Sequence, residues 1–402
     1  MKNILIIESE YEGHYLTGYI KYILRSFKNQ KVSITLLTSI DAKKKASGAI
    51  KILKAEKVKF NIETIPNFKI TNYSSVQLIA NQIGLYFAIK DKFRKINSFV
   101  KFDHVILTSI QKFDKPLAFF GSPFQNISFS GIYLGAKFHL TKYRIFYQAR
   151  FNYLEKFFFK KLLYISTLQN IITNDYLLKN YLQSENWNNS DKLHFLHDPK
   201  EFNFSFDKSY AREKLLLPKR CILILVYGAL IDSKGIIELL SIFNNKLDKD
   251  IRVILAGKQI RKSKGLSIND NFINQLKMKK KIFSFNDWIS EKKEALLFSA
   301  TDIVWIGYKN YPSPSGVFYQ AIHKSIPMLI SNDGSVNNLN KKIKVGYAVN
   351  IYDSLDIIKG IKYLLDKKNR SKFKENILKF SRISESKKWV LGFKKIHPKL
   401  FY

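Results

Sequence analysis

Two short loops carry the residue types best suited to holding a phosphorylated ligand. The first is residues 228–235 (GALIDSKG), where Lys234 supplies a cation and Gly228 and Gly235 let the backbone approach a ligand closely. The second is residues 312–316 (PSPSG), which lead into a helix predicted over residues 315–323. The first N–H groups of a helix lack partners within it and lie at the positive end of its dipole. Together, a lysine and a helix N-terminus predict an anion site, and phosphate is an anion that such a site binds.

The elements around these loops predict a parallel α/β architecture. Apolar runs at residues 221–227 and 303–307 precede the two loops, and a further strand is predicted at residues 327–331. Strand, loop, helix and strand in this order form βαβ units, whose parallel strands present their loops at one edge. The same alternation fills the first half of the chain, with strands predicted at residues 2–8, 32–38, 60–65, 104–109 and 170–174 and helices at residues 15–28 and 76–99.

The first predicted βα loop, SEYEGHY, contains two further candidate residues, Gly13 and His14. It has one glycine where the dinucleotide-binding fingerprint requires three, so a nicotinamide-dependent dehydrogenase is disfavoured. An ordinary turn with an exposed histidine explains this loop equally well.

Residues 302–346 and the loop at residues 228–235 resemble the donor site of GT-B glycosyltransferases, specifically glycosyltransferase family 4. Members of that family hold a nucleotide-sugar diphosphate with a Pro/Ser/Gly-rich loop, a helix, and a strand that begins with Pro and ends in a Gly turn. The resemblance implies two Rossmann-like, doubly wound domains that face each other across a cleft. It places the acceptor-side domain at residues 1–205, the donor-binding domain at 206–380, and a helix that returns to the first domain at 381–402.

The resemblance also implies an activity, which is transfer of a sugar from a nucleoside diphosphate donor to a glycan or lipid-linked acceptor. Retention at the anomeric carbon, independence of metal, and a role in bacterial surface polysaccharide assembly are implied as well. Lys234 would be the catalytic cation beside the donor diphosphate. The implied donor contacts are Gly13, His14, Gly228, Lys234, Gly235, Ser313, Ser315, Gly316, Val317 and Gln320.

The chain departs from the family pattern at three positions. Ala229 stands where the family usually has Arg, and Pro312 and Gln320 stand where two glutamates eight positions apart contact the donor sugar and the ribose. Gln can still hydrogen-bond ribose hydroxyls, whereas Pro has no side-chain polar group. Two alternatives therefore stay open within the fold, a nucleotide-sugar epimerase and a catalytically degenerate partner of an active transferase.

The net charge of +36 raises the question of an anionic partner. Residues 136–165 combine ten aromatic and seven basic residues with one acid, which is typical of a segment on an anionic membrane surface. A core-packed helix with a solvated basic face is the alternative. No nucleic-acid-binding motif accompanies the charge, so nucleic acid is not an expected partner, but a basic membrane-binding module stays open as a third function.

Composition sets the remaining expectations. The one cysteine, Cys221, excludes a disulfide framework and fits a reducing compartment. No signal-peptide pattern begins the sequence, and its apolar runs are shorter than a membrane helix, which predicts a cytoplasmic protein, either free or peripheral at the inner membrane face. The histidines show no metal-ligand spacing, and no P-loop or nucleophile elbow occurs, so neither a metal nor a cofactor is expected.

Overall fold

The computed structural model of the chain describes residues 1–9, 18–45, 47–68, 75–143, 145, 152–247, 249–258, 270–286, 289–312 and 315–401. The chain divides into two compact units. The first comprises Met1–Pro199 together with Ser386–Tyr402, and the second comprises Lys200–Glu385. The sequence placed this boundary near residue 205.

The first unit is built on one parallel sheet. Its strands are β1 (Lys2–Glu8), β2 (Val32–Ser39), β3 (Phe60–Ile65), β4 (His104–Leu107), β5 (Ser128–Ile132), β6 (Leu168–Thr173) and β7 (Leu193–Phe195). Before the chain enters the second unit, the helices of the first are α1 (Tyr19–Ser26), α2 (Ile40–Lys45), α3 (Ser47–Lys54), α4 (Ser75–Val100), α5 (Asp114–Phe120), α6 (Asn152–Leu163) and α7 (Tyr176–Ser184). The strand order is β3-β2-β1-β4-β5-β6-β7, so the winding direction reverses between β1 and β4.

Apolar layers cover both faces of this sheet, as the continuous apolar run of β1 predicts. One layer packs Leu5 and Ile7 against side chains of α4 to α7, and the other packs Ile4 and Ile6 against α1. The predicted parallel strands are confirmed here, most with shifts of one or two residues at their ends.

Strand β4 is shorter than the prediction of residues 104–109, because its last polar residues turn toward a buried carboxylate. Thr108 Oγ1 and Ser109 Oγ donate hydrogen bonds of 2.5 and 2.9 Å to Glu8 Oε2, and Lys112 Nζ donates one of 2.9 Å to Glu8 Oε1. Glu8 itself is 1% exposed. A charge this deeply buried requires such partners, and they draw the chain out of the strand into a 3-10 turn.

The second unit repeats the architecture with six strands. They are β8 (Ile222–Tyr227), β9 (Ile251–Ala256), β10 (Ile282–Phe285), β11 (Ile303–Ile306), β12 (Met328–Ser331) and β13 (Gly346–Val349). The helices are α8 (Lys208–Lys214), α9 (Ile236–Leu240), α10 (Asp270–Met278), α11 (Glu291–Ala300), α12 (Gly316–His323), α13 (Gly334–Ile343), α14 (Ser354–Leu365) and α15 (Lys367–Ile383). The order is β10-β9-β8-β11-β12-β13, with parallel pairing and a reversal between β8 and β11.

The chain then re-enters the first unit and completes its core with α16 (Ser386–Ile396) and α17 (Pro398–Phe401). Trp389 and Phe393 are almost fully buried, and Trp389 lies 6.0 Å from Tyr19 between ring centroids. Phe393 makes an edge contact with Phe27 at 6.4 Å, and Asn170 Nδ2 donates 3.1 Å to the carbonyl of Ile396.

The described ranges contain neither a candidate membrane span nor a candidate metal cluster. Of the helices that the structure describes, none is long and apolar enough to cross a membrane. Within the same ranges, no three or more His, Cys, Asp or Glu side chains are grouped so that they could hold a metal ion.

Candidate functional site

The two predicted loops lie at the same edge of the second sheet. Strands β8 and β11 are parallel neighbours, with Ile224 opposite Ile303 and Leu225 opposite Val304, so both end at this edge. They are also the strands between which the winding direction reverses. In open α/β sheets, ligands bind outside the carboxyl ends of the strands at such a reversal.

The loop after β8 ends at Gly235, a position that only glycine can occupy without strain or collision. Gly235 has φ +61°, and a Cβ added to it would lie 2.2 Å from the carbonyl oxygen of Gly307. Trp305 Nε1 donates 2.9 Å to the carbonyl of Lys234, and the N–H of Lys309 donates 2.8 Å to that of Ser233. The loop is therefore held against the residues that follow β11.

We expect Gly235→Ala to lower the free energy of unfolding of the second unit by about 2–4 kcal/mol, from backbone strain and collision with Gly307. Urea unfolding followed by hydrogen exchange would measure it. Lys344→Gly is the control for strain alone, because Lys344 is an exposed residue of the same unit with the same left-handed backbone, φ +53° and ψ +51°. Relief of that strain should raise stability by no more than about 1 kcal/mol. A loss in Gly235→Ala no larger than the gain in Lys344→Gly would contradict the close approach to Gly307.

Lys234 folds back beneath its own loop. Its Nζ donates to the carbonyl oxygen of Tyr227 and lies 5.6 Å from the ring centroid of Tyr308. Burial lowers the pKa of Lys234 to about 8. Since an ammonium group has three N–H donors, the bond to Tyr227 leaves two other donors on Lys234.

The N-terminus of α12 also contacts Tyr308. Ser315 is its N-cap residue but makes no side-chain capping bond; its hydroxyl instead bonds the Tyr308 hydroxyl at 3.1 Å. The N–H groups of Gly316 and Val317 fall in the first turn, where no carbonyl within the helix can accept them. The preceding loop is anchored by Ser335, whose hydroxyl donates 2.6 Å to the carbonyl of Pro312.

Gln320 lies on α12 with its amide engaged by a neighbouring helix. The side chain is 5% exposed, and its Nε2 donates to Glu294 Oε1 of α11. Burial raises the pKa of the Glu294 carboxyl, which also accepts a hydrogen bond from the Tyr227 hydroxyl. Because Nε2 is directed to Glu294, the oxygen of the Gln320 amide is left as an acceptor.

The structure brings two of the predicted residues of the second unit together, since Lys234 and Ser315 both contact Tyr308. Val317 and Gln320 are buried on α12. The predicted residues that lie outside the described ranges are Gly13, His14 and Ser313.

Sequence reasoning missed Tyr308, Glu294 and Tyr227. Tyr308 had a signal, since it follows the Gly that ends an apolar strand. Glu294 had none, because its contact with Gln320 joins two helices 26 residues apart.

A cavity of about 590 Å³ lies at the opposite end of α12 and is separate from these loops. The residues around it are Lys324, Ser325, Pro327, Lys367, Arg370, Ser371 and Lys374. Helix α12 ends at His323, one residue before this cavity begins. The cavity therefore plays no part in the site built on Lys234 and the start of α12.

Residues 207–380, which include both loops, match the family model of glycosyl transferases group 1. No curated protein sequence matches the chain significantly.

Solved structures of the same fold match along the whole chain. Sucrose-phosphate synthase from Thermosynechococcus elongatus aligns with a TM-score of 0.73 at 13% identity, over 100% of this chain and 99% of that one. Anabaena HepE in complex with UDP-glucose aligns at 0.63 and 13% identity, over 100% and 99%. A glycosyltransferase from Rickettsia africae aligns at 0.61 and 17% identity, over 98% of each chain. The predicted GT-B fold, with its two parallel α/β sheets, is confirmed.

Proposed function

We propose that the second unit binds the diphosphate of a nucleotide-sugar, and that the protein transfers the sugar to a glycan or lipid-linked acceptor. The observation that carries the proposal is the convergence of Lys234 and the N-terminus of α12 on Tyr308, within the region that matches glycosyl transferases group 1. A cation and free helix N–H groups together suit a diphosphate.

The proposed reaction follows the glycosyltransferase family 4 pattern and retains the anomeric configuration. The acceptor hydroxyl oxygen forms a bond to the anomeric carbon as the bond from that carbon to the phosphate oxygen breaks. The hydroxyl proton passes to the departing diphosphate, so no protein nucleophile takes part. Lys234 and the helix N-terminus would stabilise the charge that develops on that diphosphate, and this role requires no metal ion. The proposed setting is bacterial surface polysaccharide assembly in the cytoplasm.

A second candidate is a nucleotide-sugar binding partner or epimerase without transferase activity. It is favoured by the state of Pro312 and Gln320, since one has no polar side chain and the other is tied to Glu294. Ala229 also leaves Lys234 without the arginine that the family usually adds. Both candidates require nucleotide binding, and they differ in whether a sugar is transferred.

The test is calorimetric titration of UDP, GDP and ADP into the full chain, in a buffer that contains a chelator. We expect one nucleotide to bind with a dissociation constant of about 1–100 μM, which is typical of substrate sites. Binding by none of the three would contradict the proposal. When one nucleotide binds, release of that nucleotide from its sugar conjugates upon addition of glycan acceptors would distinguish the transferase from the partner.

A further inference from the structure

In the first unit, helices α4, α5 and α6 expose aromatic side chains that form one continuous surface. Phe119 and Phe120 at the end of α5 are 70% and 51% exposed, and Phe87 and Phe157 are 41% and 45% exposed. The ring centroids of Phe87 and Phe120 lie 5.5 Å apart, and those of Phe119 and Phe158 lie 5.6 Å apart. Phe157 and Phe158 are also 5.6 Å apart. These five residues are called the aromatic surface below.

The fold does not need these rings. The same helices already bury an apolar side in the core of the unit, with Tyr86 and Phe93 from α4 and Phe159 and Leu162 from α6. The aromatic surface is therefore a second apolar side, directed to solvent. A single exposed aromatic residue needs no explanation, but a continuous set on three helices indicates an interaction site.

Lysines lie over these rings. Lys90 Nζ is 5.8 Å from the ring centroid of Phe87, Lys161 Nζ is 5.8 Å from that of Phe157, and Lys115 Nζ is 6.0 Å from that of Phe158. The three helices together contain eight basic and three acidic residues. The cationic heads thus sit beside the rings that are exposed.

Two of the three acidic side chains are engaged by other groups of the protein. Asp114 is buried, beside Lys115 and the hydroxyl of Tyr133. Glu155 accepts hydrogen bonds of 2.9 and 3.0 Å from the backbone N–H groups of Lys137 and Phe138. Asp91 is the acid on these helices that remains exposed.

We propose that the aromatic surface and its lysines dock the first unit onto an anionic lipid bilayer. Phenyl rings with adjacent ammonium groups suit the headgroup region, where the rings enter the acyl boundary and the amines meet lipid phosphates. Lysine is depleted in protein–protein interfaces, so its presence among these rings favours lipid over a protein partner. This surface joins α6, which belongs to the basic segment at residues 136–165, with α4 and α5. It does not depend on nucleotide binding, so either proposal can fail alone.

The test is co-sedimentation of the full chain with vesicles of phosphatidylcholine alone or with about 30% phosphatidylglycerol. We expect binding to the anionic vesicles, with a partition coefficient that falls at least about tenfold when salt rises from about 50 to 500 mM. The double variant Phe119→Ser/Phe157→Ser should bind about tenfold less. Its matched control is Tyr352→Ser/Leu391→Ser, which removes two exposed apolar side chains elsewhere and should leave binding unchanged.

A second pair of variants separates the surface from overall charge. Lys90→Gln/Lys115→Gln/Lys161→Gln should weaken vesicle binding far more than Lys277→Gln/Lys341→Gln/Lys359→Gln, which removes the same charge from exposed lysines elsewhere. Vesicles should also protect the backbone of α5 and α6 from hydrogen exchange. Equal effects of the two triple variants, or no pelleting of the wild type with anionic vesicles, would overturn the proposal. So would concentration-dependent dimerisation that the aromatic double variant abolishes, since the surface would then bind a second copy.

Discussion

Asp302→Ala is expected to lower the free energy of unfolding of the second unit by about 3–5 kcal/mol, the cost of removing one partner from a buried ion pair. The Asp302 carboxylate accepts a 2.7 Å bond from Arg212 Nη2, a 2.8 Å bond from the N–H of Leu223, and one from Lys208. Arg212 is 5% exposed, so the substitution leaves a guanidinium charge buried without its counter-ion. Hydrogen exchange should show the loss of protection in β8 and β11, with the first unit unchanged.

A control for that experiment lies next to Arg212. Glu213 and Lys219 form an exposed ion pair at 3.8 Å, with side chains 65% and 71% exposed. Glu213→Ala should change stability by less than about 0.5 kcal/mol, because exposed pairs contribute little. A loss below about 1 kcal/mol in Asp302→Ala would show that Arg212 is adequately satisfied by the backbone carbonyls of Ala300 and Lys219.

Lys234→Met should weaken binding of the nucleoside diphosphate by about 10- to 100-fold, since charge-assisted hydrogen bonds contribute about 1.5–3 kcal/mol. Methionine keeps the length of the side chain and removes the charge. Stability should not fall, because the variant also removes a cation from a desolvated position. Calorimetric titration of the nucleotide that binds wild type gives the comparison, and Lys219→Met, at an exposed lysine, serves as the control. Unchanged affinity in Lys234→Met would show that Lys234 does not contact the bound diphosphate.

The same lysine predicts how affinity depends on pH. Burial lowers its pKa to about 8 from an ordinary value of 10.5, so the charged form that a diphosphate requires is depleted above pH 8. Affinity should fall about tenfold between pH 7 and 9, which is the change in the protonated fraction.

The stability of the nucleotide-free protein should respond to pH with the opposite sign. The folded state releases the Lys234 proton near pH 8, whereas the unfolded chain keeps it until about pH 10.5. The contribution of this group to the free energy of unfolding therefore rises with pH between those values.

In Lys234→Met, the change in nucleotide affinity between pH 7 and 9 should disappear. A persistent change there would assign the pH dependence to another group.

The architecture was readable from the sequence because buried parallel strands are short apolar runs with loops at regular intervals. Strands β1 and β3 have the predicted limits, Lys2–Glu8 and Phe60–Ile65. The largest error falls where side chains compete for the backbone, since strand β4 ends early at the Glu8 cluster.

Less of the candidate site could be predicted. Lys234 and the start of α12 were identified because their chemistry depends on local composition, namely glycine flanks and a helix N-terminus. Their meeting at Tyr308 and the pairing of Gln320 with Glu294 are tertiary contacts, which no local pattern encodes. The aromatic surface was predicted only in part for the same reason, since α4 and α5 are distant from α6 in sequence.

The path of the chain through the first unit has a consequence for its synthesis. Lys200 and Glu385, the first and last residues of the second unit, are paired in a β-bridge, so that unit is an insertion whose two ends meet. A ribosome working at about 5–20 residues per second takes about 10–40 s to make it. Throughout that interval Met1–Pro199, which is the first unit without α16 and α17, displays Tyr19 and Phe27 without Trp389 and Phe393 to cover them. The core of the first unit is therefore completed only after the whole inserted unit and then α16 have left the ribosome.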